Sequence, residues 1–326
     1  MADAVHAPQR RALVLSDGAA GNENQARALA AAITSQVDVF LLETRAPWRW
    51  FAPHRLPGSI QAFGADFAAR LRAPWPDIAI GCGRQAALAT RLMRQASDGA
   101  CRAVQILDPR IDPAHFDMVV TPEHDGLHGA NVITTRGGLN AIDDVWLEQA
   151  RAAFPALAAL PAPRYALLIG GPTRALALDR AYWESLVTAL SARLRADNAS
   201  LMLTTSRRTP DWLRTAARQA FADVPNHQWH GRMDGPNPYA GFLAWADAVV
   251  VTPDSVNMMS EAAATRVPLW SHAPQALGGK VGNFVTALHA SGRLRFLGEV
   301  AGTAPITPLR ETARVAADIR LRLGWA

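Results

Sequence analysis

Short apolar runs alternate with stretches of helical apolar spacing along nearly the whole chain. In the first half the runs fall at 12–15, 37–42, 77–80, 103–107, 118–121 and 131–134, with helical patterns clearest over 24–33 and 84–95. This alternation predicts parallel β-α units and a first domain of about five or six strands. Prolines at 155, 161 and 163 then punctuate the chain before a fresh apolar run at 166–169, so a linker is expected around 155–164. Further runs at 200–205, 248–252 and 268–270, with helices near 180–195, 210–221 and 255–264, predict a second α/β domain. A last helix, 308–323, has no strand after it. The expected division is 1–158, 159–307 and a terminal helix 308–326 that packs back on the first domain.

Length agrees with this division, because 326 residues exceed the usual single core. With 49% apolar and 19% charged residues, the composition is that of a globular protein. No stretch reaches the roughly 18 apolar residues of a spanning helix. The start, MADAVHAPQRRALVLSDG, is too broken for a secretory leader, so the expected compartment is the cytoplasm. Cys82 and Cys101 are read as buried thiols, and no Cys/His cluster has the spacing of a zinc site, so neither a metal nor a cofactor is expected. Net charge is +5, Lys280 is the only lysine, and the basic residues are spread out. That distribution argues against a nucleic-acid partner and leaves phosphorylated substrates and acidic lipid headgroups open.

Several loops that follow strands have the residues for binding or proton transfer. In RALVLSDGAAGNENQ a strand ends in Ser16, Asp17, Gly18 and Gly21 and runs into a helix. Glycines turn amides toward a ligand and a helix start favours anions, so the loop suits phosphate or sugar hydroxyls, or it is a tight turn capped by Asn22 or Asn24. Its spacing is not that of a dinucleotide fingerprint. Arg84 follows Gly81 and Gly83 at another strand end, as a crevice residue or a surface arginine. Glu123, His124 and Asp125 follow a further strand, and an adjacent His and Asp suit a general base or a capped turn. In the second half Gly170, Gly171, Thr173 and Arg174 end one strand. Ser206, Arg207 and Arg208 end the next, before a helix begun at Pro210 and capped near Thr209. The most specific stretch is NPYAGFLAWADAVVVTPDSVNMMSEAAATRVPLW, a helix, a strand, then Asp254 and Ser255 at the start of a helix that carries Glu261. A diphosphate fits the helix start, and Glu261 can accept from ribose hydroxyls. A capping box would want the acid three residues after Ser255 instead of six, which favours binding over capping.

Taken together and in order, SDGAAGNENQ, ILDPR, PEHD, NVITTRGGLN, LIGG, TSRRTP and WADAVVVTPDSVNMMSEAA resemble the bacterial branch of the mitochondrial-fission ELM-type family, over about residues 11 to 290. Members are also labelled glycosyltransferases or nucleoside-diphosphate-sugar epimerases. The resemblance implies a GT-B-like fold, two Rossmann-like domains facing a cleft, with nucleotide sugar on the second domain and acceptor on the first. It maps the ribose-binding acid onto Glu261, with Asp254 and Ser255 before it, and implies no bound metal. The chain departs from the Glu-x7-Glu pattern of many retaining members, because Pro253 stands eight positions before Glu261.

The expected activity is metal-independent transfer of a sugar from a nucleotide diphosphate sugar to a glycan or lipid-linked acceptor. Gly18, Gly21, Arg84, Gly170, Gly171, Thr173, Ser206, Arg207, Arg208, Asp254, Ser255 and Glu261 would bind, and Asp17 or His124 with Asp125 would act as base. A nucleotide-sugar 2-epimerase and a non-catalytic scaffold, as in the plant fission factors, are the alternatives. TRAPWRWFAPHRLPG gathers Trp48, Trp50 and Phe51 among Arg45, Arg49, His54 and Arg55. Its three prolines predict an ordinary loop with its aromatics turned inward, and peripheral contact with the inner membrane is the rival reading.

Overall fold

A computed structural model describes residues 10–300, 302 and 304–325. Of the amino-terminal stretch read above for a leader, residues 1–9 lie outside the described residues. The chain forms two compact units, one of Met1–Ala141 with Arg310–Ala326 and one of Ile142–Leu309.

Unit 1 runs β1 (Arg11–Ser16), α1 (Ala20–Ile33), β2 (Gln36–Leu41), α2 (Trp48–Phe51), α3 (Gly64–Arg70), β3 (Ile78–Cys82), α4 (Arg84–Ala96), β4 (Arg102–Ile106), β5 (Met118–Pro122) and β6 (Val132–Thr135). Unit 2 follows with α5 (Asp144–Ala153), β7 (Arg164–Ile169), α6 (Arg180–Ala196), β8 (Ser200–Thr205), α7 (Asp211–Ala220), β9 (Asn226–Trp229), α8 (Tyr239–Trp245), β10 (Ala248–Val251), α9 (Val256–Ala263), β11 (Leu269–Ser271), α10 (Gly279–Ala290) and β12 (Leu294–Phe296). The last helix, α11 (Thr312–Arg322), returns to unit 1.

Each unit is a six-stranded parallel sheet, ordered β2-β1-β3-β4-β5-β6 in unit 1 and β12-β11-β10-β7-β8-β9 in unit 2. Read from its first strand, unit 2 has the Rossmann order, and unit 1 begins 2-1-3 as flavodoxin-like sheets do. Both expected domains are therefore Rossmann-like. In such sheets the loops after the strands share one edge, and the order reverses between β1 and β3 in unit 1 and between β7 and β10 in unit 2. Ligand crevices form outside the strand ends at such reversals.

Central strands are uninterrupted apolar runs because helices cover both faces. Ala166 and Leu168 of β7 enter one core, and Tyr165, Leu167 and Ile169 the opposite one. In unit 1, Ala12 and Val14 pack toward α1 and α11, while Leu13 and Leu15 face α4. Gly81 lets α4 lie close on β3, since a Cβ there would stand 2.9 Å from both Ala86 Cβ and Thr90 Cγ2. Cys82 and Cys101 are buried free thiols, and burial pushes Cys101 up to about 12.

The boundary differs from the expected one. Residues 142–158 belong to unit 2, where Leu147, Ala150 and Leu157 join its core, so Pro155 opens a short 3-10 turn (Pro155–Ala159) and Pro161 and Pro163 stand between it and β7, within unit 2 instead of in a linker. The final helix starts at Thr312, four residues after the expected Pro308. Two strands went unforeseen: β9, a polar edge strand (NHQW), and β12, of three residues. No helix among the described residues is long and apolar enough to cross a membrane.

Candidate functional site

At the reversal of unit 2, the ends of β7, β8 and β10 are tied together by one carboxylate. Asp254 is 4% exposed. Its Oδ2 accepts from the Gly171 amide at 2.9 Å and from Arg208 Nη2 at 3.0 Å, and its Oδ1 accepts from the Thr252 hydroxyl at 2.6 Å. Thr252 Oγ1 also accepts from the Gly170 amide at 2.8 Å. Burial pushes the Asp254 carboxyl above the usual carboxylate range, against the pull of its three donors. Asp254 thus positions the loops around it, with its oxygens turned to protein donors.

This network explains both glycines. A Cβ on Gly170 would lie 2.0 Å from Asp254 Oδ2, and one on Gly171 would lie 2.5 Å from Arg208 Cβ. Ser206 Oγ accepts from the Arg208 amide at 3.2 Å. Thr209 does not cap α7, because its hydroxyl turns back to donate to the Ile169 carbonyl, 3.2 Å away. Thr173 closes a local turn, its amide donating to Leu176 O at 2.8 Å and its hydroxyl accepting from Leu176 N at 3.2 Å. Arg208 is half-exposed despite its ion pair, and Arg207 is exposed. Arg208 therefore stands beside the amino end of α9, where the helix dipole is positive.

Ser255 is a true N-cap, its hydroxyl accepting from the Met258 amide at 3.3 Å, so the missing acid three residues on did not exclude capping. Glu261, farther along α9, is half-buried, and desolvation raises its pKa while a hydrogen bond from Tyr239 lowers it. The Tyr239 hydroxyl donates to Glu261 Oε2. Among the described residues no hydrogen bond to Oε1 is found, so that oxygen is held in place as an acceptor. A cavity of about 380 Å³ adjoins this edge, lined by Asp179, Tyr182 and Ser185 of the α6 start and by Gln275 and Leu277 after β11. Beside it, Tyr182 Oη donates to the His272 carbonyl at 2.8 Å, and Ser185 Oγ lies 2.9 Å from His272 Nε2.

In unit 1 the loops after β1 and β3 meet. Asp17 Oδ1 accepts from the Ala19 amide at 3.1 Å, and Oδ2 from Asn22 Nδ2 at 3.2 Å. Neither Asn22 nor Asn24 caps α1, whose cap position, Ala19, has no side chain for the role. Gly18 turns at φ +79°, and Gly21 lies in the first turn of α1. Gly83, at φ +86°, admits Asn22 so closely that a Cβ would stand 2.7 Å from its Nδ2. Arg84 is exposed, its Nη2 3.4 Å from the Arg49 carbonyl. His124 and Asp125 form a 3-10 turn after β5, with His124 Nε2 3.9 Å from Asp125 Oδ1. Asp125 Oδ2 accepts from the Thr121 hydroxyl at 3.1 Å, and both side chains are largely buried. Asp17, like His124 and Asp125, is only partly exposed.

Sequence reasoning missed Thr252, Tyr239 and His272. Thr252 ends an expected strand two residues before Asp254, and His272 follows another, so both had a positional signal. Tyr239 had none, being 22 residues from the carboxylate it holds. Among the described residues no group of three or more His, Cys, Asp or Glu is placed to hold a metal ion.

A family model described as mitochondrial fission ELM1 matches residues 20–323. The mitochondrial fission protein ELM1 of Arabidopsis thaliana is 32% identical over 283 residues, covering 77% of this chain and 65% of that protein. The chain thus matches just under two thirds of the relative's length. Among solved structures, the UDP-GlcNAc 2-epimerase of Methanocaldococcus jannaschii superposes with a TM-score of 0.61 at 12% identity, over 97% of this chain and 100% of that one. The glycotransferase of kitacinnamycin gives a TM-score of 0.52 at 13% identity, over 98% and 100%. These likenesses span both units and bear on the fold alone, the GT-B-like pair of Rossmann-like domains.

Proposed function

The chain belongs to the mitochondrial fission ELM1 family, and from that premise we propose a cytoplasmic, metal-independent glycosyltransferase acting on a nucleotide diphosphate sugar. Unit 2 takes the donor. Its diphosphate lies against the amino end of α9 and the Gly170–Gly171 loop, with Arg207 and Arg208 supplying positive charge. The ribose hydroxyls donate to Glu261. The acceptor, a glycan or lipid-linked hydroxyl, is the substrate of unit 1, where Asp17 takes its proton. The acceptor oxygen bonds to the anomeric carbon while the bond from that carbon to the diphosphate oxygen breaks, and the nucleoside diphosphate leaves with the electron pair. Fixed cations and helix dipoles aimed at the departing charge lower the barrier without reorganising.

One observation carries this reading: Tyr239 holds one oxygen of Glu261 and leaves the other as an aimed acceptor, on the helix whose amino end lies at the sheet reversal. A structural carboxylate would have both oxygens satisfied, as Asp254 does. That a fold neighbour is a UDP-GlcNAc 2-epimerase adds support for a nucleotide sugar as the ligand class.

Thermal unfolding against a panel of nucleoside diphosphates and their sugars tests it. A matching ligand at one hundred times its dissociation constant adds about 2.7 kcal/mol. Glu261→Ala is expected to weaken that ligand about tenfold, the worth of one hydrogen bond to a charged group. An epimer formed without acceptor would replace transfer by 2-epimerisation. Stabilisation by no nucleotide would leave the non-catalytic scaffold as the reading.

A further inference from the structure

The 45–63 segment of unit 1 reverses the expectation that its aromatics turn inward. Of Trp48, Trp50 and Phe51, only Trp48 packs against the core, its Nε1 donating to the Pro57 carbonyl at 3.3 Å. Trp50 and Phe51 are 69% and 50% exposed. The segment is nevertheless firmly anchored, with Ala52, Ser59, Ala62 and Phe63 all buried and Ser59 Oγ bonded to Leu56 at both its amide and its carbonyl. Large apolar groups held outward on an ordered scaffold mark a surface built to be covered.

The chemistry of the cover is read from the neighbouring charges. Residues 49–55 run along α4, tied by Arg84 to the Arg49 carbonyl, by Arg91 to the Pro53 carbonyl at 2.7 Å, and by Arg55 to Gln95. Beyond Arg55 opens a cavity of about 430 Å³ lined by Arg55, Arg91, Arg94, Gln95, Asp98 and His115. Arg94 is paired with Asp117 at 3.0 Å. Among the described residues no carboxylate lies within 4.0 Å of the Arg55 or Arg91 guanidinium. Burial and the Arg55 charge hold the Arg91 guanidinium below its ordinary value, as expected where positive charge is uncompensated.

We propose that this face docks unit 1 on an anionic phospholipid bilayer, with Trp50 and Phe51 at the boundary of headgroups and acyl chains and a lipid phosphate in the cavity between Arg55 and Arg91. Aromatic side chains favour that boundary and arginines favour its anionic surface. The proposal goes beyond the transfer reading and is tested without any nucleotide.

The full chain is sedimented with vesicles of phosphatidylcholine alone and of phosphatidylcholine mixed with phosphatidylglycerol. Binding is expected to the mixed vesicles only, weakening as salt is raised. Trp50→Ala with Phe51→Ala is expected to lower the partition roughly tenfold or more, and Arg55→Ala about fivefold, both with melting temperatures kept, since these side chains are exposed. Failure of the wild-type chain to sediment, equal binding to neutral vesicles, or variants that bind like the wild type would overturn the proposal. So would inorganic phosphate abolishing a binding that the aromatic variant leaves intact, which would assign the cavity to a free anion. A dimer in solution that the aromatic variant dissociates would likewise overturn it, by giving the face to a second copy of the chain.

Discussion

The strand-end loops of the two units look alike in sequence, glycines and an aspartate ahead of a helix, yet they are held in different ways. In unit 2 the aspartate is buried and accepts from a backbone amide, an arginine and a threonine drawn from three separate strand ends. Its glycines are required by protein atoms, because Asp254 and Arg208 fill the space a Cβ would need. In unit 1 Asp17 is partly exposed, and its bonds go to its own loop and to the first turns of α1. A glycine-rich loop therefore does not by itself mark where a ligand approaches. It marks where something approaches closely, and in unit 2 that something is the protein. Rigid placement of Arg208 and the α9 start suits a donor site that must be organised in advance, whereas the open carboxylate of unit 1 suits a group that meets a substrate.

The contrast is broken most directly at the two aspartates. Asp254→Ala leaves the Thr252 hydroxyl and the Gly171 amide buried without their acceptor and is expected to cost about 4 kcal/mol in urea unfolding, against about 1 kcal/mol for Asp17→Ala. Equal losses would mean that the two loops are held alike.

Acid sharpens the comparison next. His230, at the end of β9 in unit 2, is 5% exposed, and burial with the charges of Arg218 and Arg214 lowers its pKa from 6.5 to about 4, against the opposite pull of Asp234. The folded state therefore prefers the neutral ring. Its stabilisation is complete above pH 6.5 and is lost as the pH falls toward about 4, by about 3 kcal/mol at full extent. His230→Gln should flatten the dependence of unfolding free energy on pH across that window, and an unchanged slope would discard the assignment.

The smallest effect expected is at the glycines. Gly170→Ala meets a pinned carboxylate and should cost about 2 kcal/mol, whereas Gly83→Ala meets the end of the Asn22 side chain and should cost about 1 kcal/mol, mostly from its positive φ. Chemical unfolding of both variants decides whether the two glycines differ as their neighbours do.

Much of this organisation was legible in the sequence because doubly covered strands leave continuous apolar runs, as at Ile78–Cys82 and Ala248–Val251. The polar edge strand Asn226–Trp229 leaves no such trace. Proline misled at the domain boundary, since Pro155 to Pro163 punctuate a turn within unit 2 instead of a passage between units. Candidate loops were found by their glycines, but the partners of each residue were not. Asp254 meets Gly171 across 83 positions and Arg208 across 46, and nothing local encodes such contacts. The outward turn of Trp50 and Phe51 was hidden for the same reason, because prolines erase the periodicity that would have indicated a face.

The return of α11 to unit 1 has a consequence for synthesis. Val315, Ala316 and Ile319 enter the core of that unit, and Glu311 accepts from the Arg136 and Gly137 amides. Unit 2 is one continuous stretch, so during translation it can fold as soon as Leu309 clears the ribosome, while the strands of unit 1, made before it, wait with an uncovered apolar face for the helix made after it. Of the two units the one begun first is thus the later to be finished, and a nascent-chain binding chaperone would find its target in the strands of unit 1.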